Sequence, residues 1–100
     1  MFDTLDIKFT HETGKINNKN VTVIALSTCG FCRRGLAFLR ENNVDFSYVY
    51  VDLLTYDTKE KLKNELQTKF DKRVAFPFLI INDEISVVGF VEQEWKSLLL

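Results

Sequence analysis

Val21-Thr22-Val23-Ile24-Ala25-Leu26-Ser27-Thr28-Cys29-Gly30-Phe31-Cys32-Arg33-Arg34-Gly35-Leu36 is the stretch on which the fold turns. Its first six residues are apolar almost without interruption and rich in β-branched side chains. That is the pattern of a short strand covered on both faces, as in a parallel sheet. From Gly30 to about Asn42 the period changes: Cys32, Leu36, Leu39 and Asn43 fall at i, i+4, i+7 and i+11, so Leu36 and Leu39 mark the buried side of an amphipathic helix. Ser27 or Thr28 is the expected cap, and Asn42-Asn43 the break.

Beyond the break, Phe46-Ser-Tyr-Val-Tyr-Val-Asp52 resumes strand character, with Phe46, Tyr48, Tyr50 and Asp52 on one face and valines on the other. The unit is βαβ. A second helix is expected to open at Asp57 or Thr58, carrying Leu62, Leu66 and Phe70 inward and Lys59, Glu60, Lys61, Lys63 and Glu65 on a solvated face. The single proline, Pro77, precedes Phe78-Leu-Ile-Ile81 and is tolerated there as a strand start. Its peptide bond is open to either isomer on sequence grounds, since cis costs little before proline. Asn82-Asp83-Glu84 is a tight turn, Ile85-Ser-Val-Val88 the antiparallel return, and Gly89 its end. Val91, Trp95, Leu98 and Leu99 then define a last amphipathic helix.

Upstream, residues 1–20 are polar, but Leu5, Ile7 and Phe9 alternate with Asp6, Lys8 and Thr10. This predicts an added, half-buried edge strand. Gly14 and Asn17-Asn18-Lys19-Asn20 read as turn and loop. The organisation is thus an N-terminal segment, 1–20, followed by one α/β domain, 21–100: a central mixed sheet with flanking helices.

With 100 residues, 46% of them hydrophobic, the chain has material for one core. A net charge of −1 provides no long-range field for nucleic acid or an anionic membrane. No stretch approaches the about 20 apolar residues of a membrane span, and no basic-then-apolar start marks a signal peptide, so a cytoplasmic protein is expected. Two cysteines three apart are too few for the disulfide framework of a secreted domain. They are half of a zinc ligand set, and His11, the one histidine, is far away in sequence, so no metal site is expected.

A cysteine reacts as thiolate, and an unperturbed thiol is only slightly ionised at neutral pH. A strand ending at Leu26 and a helix beginning at Gly30 set Cys29 at the helix N-terminus, where unpaired N–H groups and the macrodipole favour an anion. Arg33 and Arg34 add positive potential. Cys32, one turn further in, is expected to be less exposed and less acidic. The asymmetry assigns Cys29 as nucleophile and Cys32 as the thiol that closes the disulfide. Gly30 keeps the approach open and Phe31 offers an apolar lip. If Phe76–Pro77 is cis and faces the thiols, the backbone of Phe76 is available to an incoming peptide.

As a set, Ser27-Thr28-Cys29-Gly30-Phe31-Cys32 after a strand, Ala75-Phe76-Pro77 before another, and Val88-Gly89-Phe90 before a final helix resemble the glutaredoxin family over about residues 21–99. The resemblance implies a thioredoxin-like sandwich, Cys29 and Cys32 as the catalytic pair, and Pro77 as the family's cis-proline beside them. It further implies substrate contacts from Thr28, Gly30, Phe31, Arg73, Phe76, Pro77, Gly89 and Phe90. The implied activity is reduction of protein or glutathione mixed disulfides, by a monomer without a tightly bound cofactor. The lysine, Thr-Val-Pro and Gly-Gly-acid features of glutathione-binding members are replaced here by Ser27 and Thr28, Ala75-Phe76-Pro77, and Val88-Gly89-Phe90-Val91. The reductant therefore stays open between glutathione and a thioredoxin reductase. Two other readings remain beside this one: an iron–sulfur module with Cys29 as ligand, because CGFC is one residue from the CGFS of monothiol members, and a docking domain that has lost redox turnover.

Overall fold

The alternation along each strand sorts the apolar side chains to two faces, and the computed structural model, which describes residues 1–100, places helices on both. The elements are β1 Thr10–Glu12, β2 Val21–Ala25, α1 Gly30–Glu41, β3 Phe46–Tyr50, α2 Tyr56–Phe70, β4 Phe78–Ile81, β5 Ile85–Val88 and α3 Glu92–Leu99, with a 3-10 turn over Val51–Leu53. They form one sheet in the order β1-β3-β2-β4-β5. β2 and β3 run parallel, joined through α1, while the other three pairings are antiparallel.

On one face Val23, Ala25, Phe46, Leu79 and Ile81 pack against Leu36, Phe38 and Leu39 of α1 and Trp95 and Leu99 of α3. On the other, Ile24, Val49, Phe78 and Ile80 pack against Leu62 and Leu66 of α2. Both faces of β2 and β4 are thus largely buried, which is why those strands read as apolar runs interrupted only by the half-buried Thr22. Each fully buried aliphatic side chain in these layers contributes about 1.5–3 kcal/mol. The result is the mixed-sheet α/β sandwich expected from the sequence.

Several boundaries differ, each for a local reason. Leu5, Ile7 and Phe9 are half-buried as their alternation predicts, but they lie outside any strand. Their side chains lean on the α2-side core, while their backbone makes local bonds such as Ile7 N–H to Leu5 C=O. The added edge strand is instead β1, held against β3 by the register Thr10↔Tyr48 and by His11, whose Nδ1 lies 2.8 Å from Ser47 Oγ and Nε2 3.1 Å from Asp45 Oδ2. Arg40 grips Glu12 with two nitrogens, tying β1 to α1.

α2 begins at Tyr56, with Thr55 as N-cap accepting from Thr58 N–H, so neither Asp57 nor Thr58 starts it. Asp52 leaves the face of β3 because the chain turns into the 3-10 segment. Val91 does not join the apolar side of α3; it is the exposed N-cap residue. Asn82 and Asp83 take positive φ, 54° and 56°, in the turn between β4 and β5. Such backbone geometry suits a tight hairpin, and Asn and Asp tolerate it well.

Candidate active site

The end of β2 builds the site. The Leu26 carbonyl accepts the Cys29 N–H at 3.4 Å, and the extended Cys29 (φ −100°, ψ 120°) then serves as the N-cap of α1. Neither Ser27 nor Thr28 caps the helix: Cys29 Sγ itself accepts from Cys32 N–H at 3.2 Å. Arg33 N–H bonds to Cys29 C=O at 3.0 Å, opening the helical ladder. No acidic residue lies in the first turn, so the positive end of the helix faces this sulfur unopposed.

Cys32 sits beneath, fully buried in the α1-side core, while Cys29 is half-exposed. Leu26 N–H donates to Cys32 Sγ at 3.5 Å. Burial above all, then the hydrogen bond to Cys29, pushes the Cys32 thiol up to about 12; the Leu26 N–H works the other way, and the negative charge of Asp52 adds to the rise. Cys32 is thus the buried, weakly acidic thiol expected from the sequence.

Gly30 and Phe31 stand outside this pair. Phe31 is 56% exposed, and the guanidinium of Arg34 lies 4.6 Å from its ring centroid. Arg33 and Arg34 are exposed and take part in none of the salt bridges.

Pairing of Ile24 with Phe78 brings Phe76 and Pro77 to the same end of the sheet, where β2 runs into the Ser27–Cys32 turn. The Phe76–Pro77 bond is cis. Pro77 C=O accepts from Gly89 N–H at 2.8 Å, and Gly89, at φ 86°, passes the constraint on, its own carbonyl accepting Trp95 Nε1–H at 3.1 Å. Of the remaining expected residues, Thr28 is exposed next to Cys29. Phe90 turns inward, its ring 4.9 Å from that of Trp95 and 5.8 Å from that of Phe38. Arg73 is exposed in the loop after α2, without a salt bridge or hydrogen bond joining it to the thiols.

Neither cysteine lines a pocket. A hollow of about 440 Å³ is walled by N-terminal residues such as Phe2, Leu5 and Phe9, together with Asn20 and Asp83 near the opposite end of β2. The sulfur of Cys29 therefore lies on an open surface.

One participant escaped the sequence reading. Asp52 accepts Ser27 N–H at 2.9 Å through Oδ1 and the Ser27 hydroxyl through Oδ2. These bonds hold its carboxyl below the usual carboxylate range. No sequence pattern announces such a grip, because it joins two turns 25 residues apart.

The model of the glutaredoxin family matches residues 21–86. This chain belongs to the glutaredoxin family. Among solved structures, methanoredoxin of Methanosarcina acetivorans superposes with a TM-score of 0.80 at 33% identity, over 90% of this chain and 94% of that one. The glutaredoxin of Methanosarcina mazei gives 0.79 at 34% identity, over 99% and 94%. The grx-1 glutaredoxin of Archaeoglobus fulgidus gives 0.70 at 28%, over 81% and 86%. A comparison with curated proteins finds no match. The fold of this glutaredoxin is thereby the thioredoxin-like one, and no helix in it is long and apolar enough to cross a membrane.

Proposed function

We propose that this glutaredoxin is a dithiol oxidoreductase that reduces disulfides by way of Cys29 and Cys32. The observation that carries the reading is the pairing of a half-exposed Cys29 Sγ, facing the N-terminus of α1 and accepting Cys32 N–H, with a buried thiol one turn below. Cys29 thiolate attacks one sulfur of a substrate disulfide, and the other sulfur leaves as thiolate. Cys32 then gives its proton to solvent and attacks Cys29 Sγ, expelling the second substrate sulfur. The two electrons that reduce the substrate come from the cysteine pair, which ends as a disulfide. A thiol reductant, either glutathione or a reductase dithiol, restores it.

The open setting of Cys29 supports disulfide-containing proteins as substrates, with Thr28, Gly30, Phe31, Phe76 and Gly89 forming the surface they meet and the buried Pro77 setting the backbone course beneath it. The backbone of the half-buried Phe76, beside a cis bond, suits pairing with an extended segment. A reducing compartment such as the cytoplasm suits a pair that must be returned to thiols.

The test is reduction of a protein disulfide such as insulin, with glutathione or thioredoxin reductase as the electron source. Cys29→Ser is expected to abolish turnover; a variant as active as the parent refutes the assignment. Cys32→Ser is expected to lose protein-disulfide turnover while still forming a stable mixed disulfide.

A further inference from the structure

The carboxylate of Asp52 is exposed, yet both of its oxygens are committed to Ser27, the residue between Leu26 and the Thr28-Cys29 turn. Leu26, in turn, supplies the N–H that reaches Cys32 Sγ. A fixed negative charge is therefore bolted to the very turn that presents the buried sulfur. We propose that Asp52 is a positioning residue for the second half of the reaction: its grip on Ser27 aims Leu26 N–H at Cys32 Sγ, and its charge retards disulfide closure by Cys32. The inference rests on the dithiol reading above and adds to it a control on how long the mixed disulfide lasts.

The logic follows from which charges persist. The titratable groups acting on Cys32 are Cys29, from its own turn, and Asp52, from the turn after β3; β4, on the far side of β2, brings only apolar side chains there. Once Cys29 is joined to substrate it carries neither charge nor thiol. Asp52 then remains as the charged group opposing ionisation of Cys32, with Lys59 of α2 helping to keep it ionised. The Leu26 N–H favours the Cys32 thiolate, so grip and charge act in opposite directions, and two variants separate them.

The experiment reacts the reduced protein with an aromatic nitrobenzoate disulfide in stopped flow. Attack by Cys29 releases one coloured thiolate and leaves the other on Cys29; attack by Cys32 breaks that bond, loses a proton to solvent and releases the second. Asp52→Asn keeps an acceptor for Ser27 N–H and removes the charge. It is expected to displace the plot of log closure rate against pH by about half a unit toward lower pH, roughly threefold faster closure at pH 7, with the first release unchanged. Asp52→Ala loses the grip as well and is expected to gain less than Asp52→Asn. Closure in Asp52→Asn that is equal to or slower than in the parent, or a first release altered by the same factor, overturns the role of the charge. Asp52→Ala closing as fast as Asp52→Asn overturns the role of the grip. A parent protein that gives a single release, identical to Cys32→Ser, sinks the dithiol reading itself and is recognised before any Asp52 variant is compared.

Discussion

Replacing Gly35 by alanine sets two effects of known sign against each other. Gly35 lies inside α1, where alanine is preferred over glycine by about 1 kcal/mol. A Cβ placed there meets Trp95 Cη2 at 2.8 Å and Cζ3 at 3.1 Å, and Phe90 Cδ1 at 3.5 Å. The indole cannot give way cheaply. It is fully buried, stands edge-on to Phe90 at 88° and to Phe38 at 79°, and its Nε1–H is committed to Gly89 C=O. Overpacking of this kind costs about 1–3 kcal/mol, so the net change is a loss of about 0–2 kcal/mol. Gly30→Ala is the internal control, because a Cβ at that first helical residue meets nothing within 4 Å. Urea unfolding followed by far-ultraviolet circular dichroism gives both values. Gly35→Ala is expected to be the less stable of the two by about 1–3 kcal/mol, the overpacking cost alone. If it is as stable as Gly30→Ala, the view that Trp95 rigidly joins α1 to the Gly89–Pro77 corner is wrong.

Two further outcomes test the frame of the site. Gly89→Ala meets no atom within 4 Å, so its cost of about 1–2 kcal/mol at φ 86° comes from backbone strain alone; a variant with an unchanged urea midpoint refutes this. Arg40 holds the Glu12 carboxyl below its usual range, chiefly by hydrogen bonding, so the folded state favours the ionised form. That stability is present above the unfolded carboxylate value, near pH 4.3, and is lost as pH falls through the lower folded value. For so exposed a pair the deficit of Glu12→Gln at pH 7 is expected to be about 0.5 kcal/mol, closing on acidification. A deficit that stays constant from neutral to acid pH contradicts the ion pair's role.

The sequence by itself determined the order of strands and helices and the place of Cys29 at the junction of β2 and α1. An unbroken β-branched run, a change of period at Gly30, and Cys29 at the junction are local facts, and local physics reads them: strands buried on both faces are apolar throughout, and helices expose their first N–H groups. Even so, local pattern misplaced the edge strand. The alternation of Leu5, Ile7 and Phe9 reports only that one side is buried, not whether the backbone has found a partner. Likewise Ser27 and Thr28 had the composition of caps, but the turn gave Cys29 the capping geometry and turned the hydroxyl of Ser27 to Asp52. The cis isomer of Phe76–Pro77, open on local pattern, was implied only by the family resemblance; the inward turn of Phe90 and the Asp52–Ser27 grip belong to the tertiary structure alone. Each depends on which residues from distant parts of the chain arrive at one end of the sheet, and a side chain commits its hydrogen bonds only when that neighbour is in place.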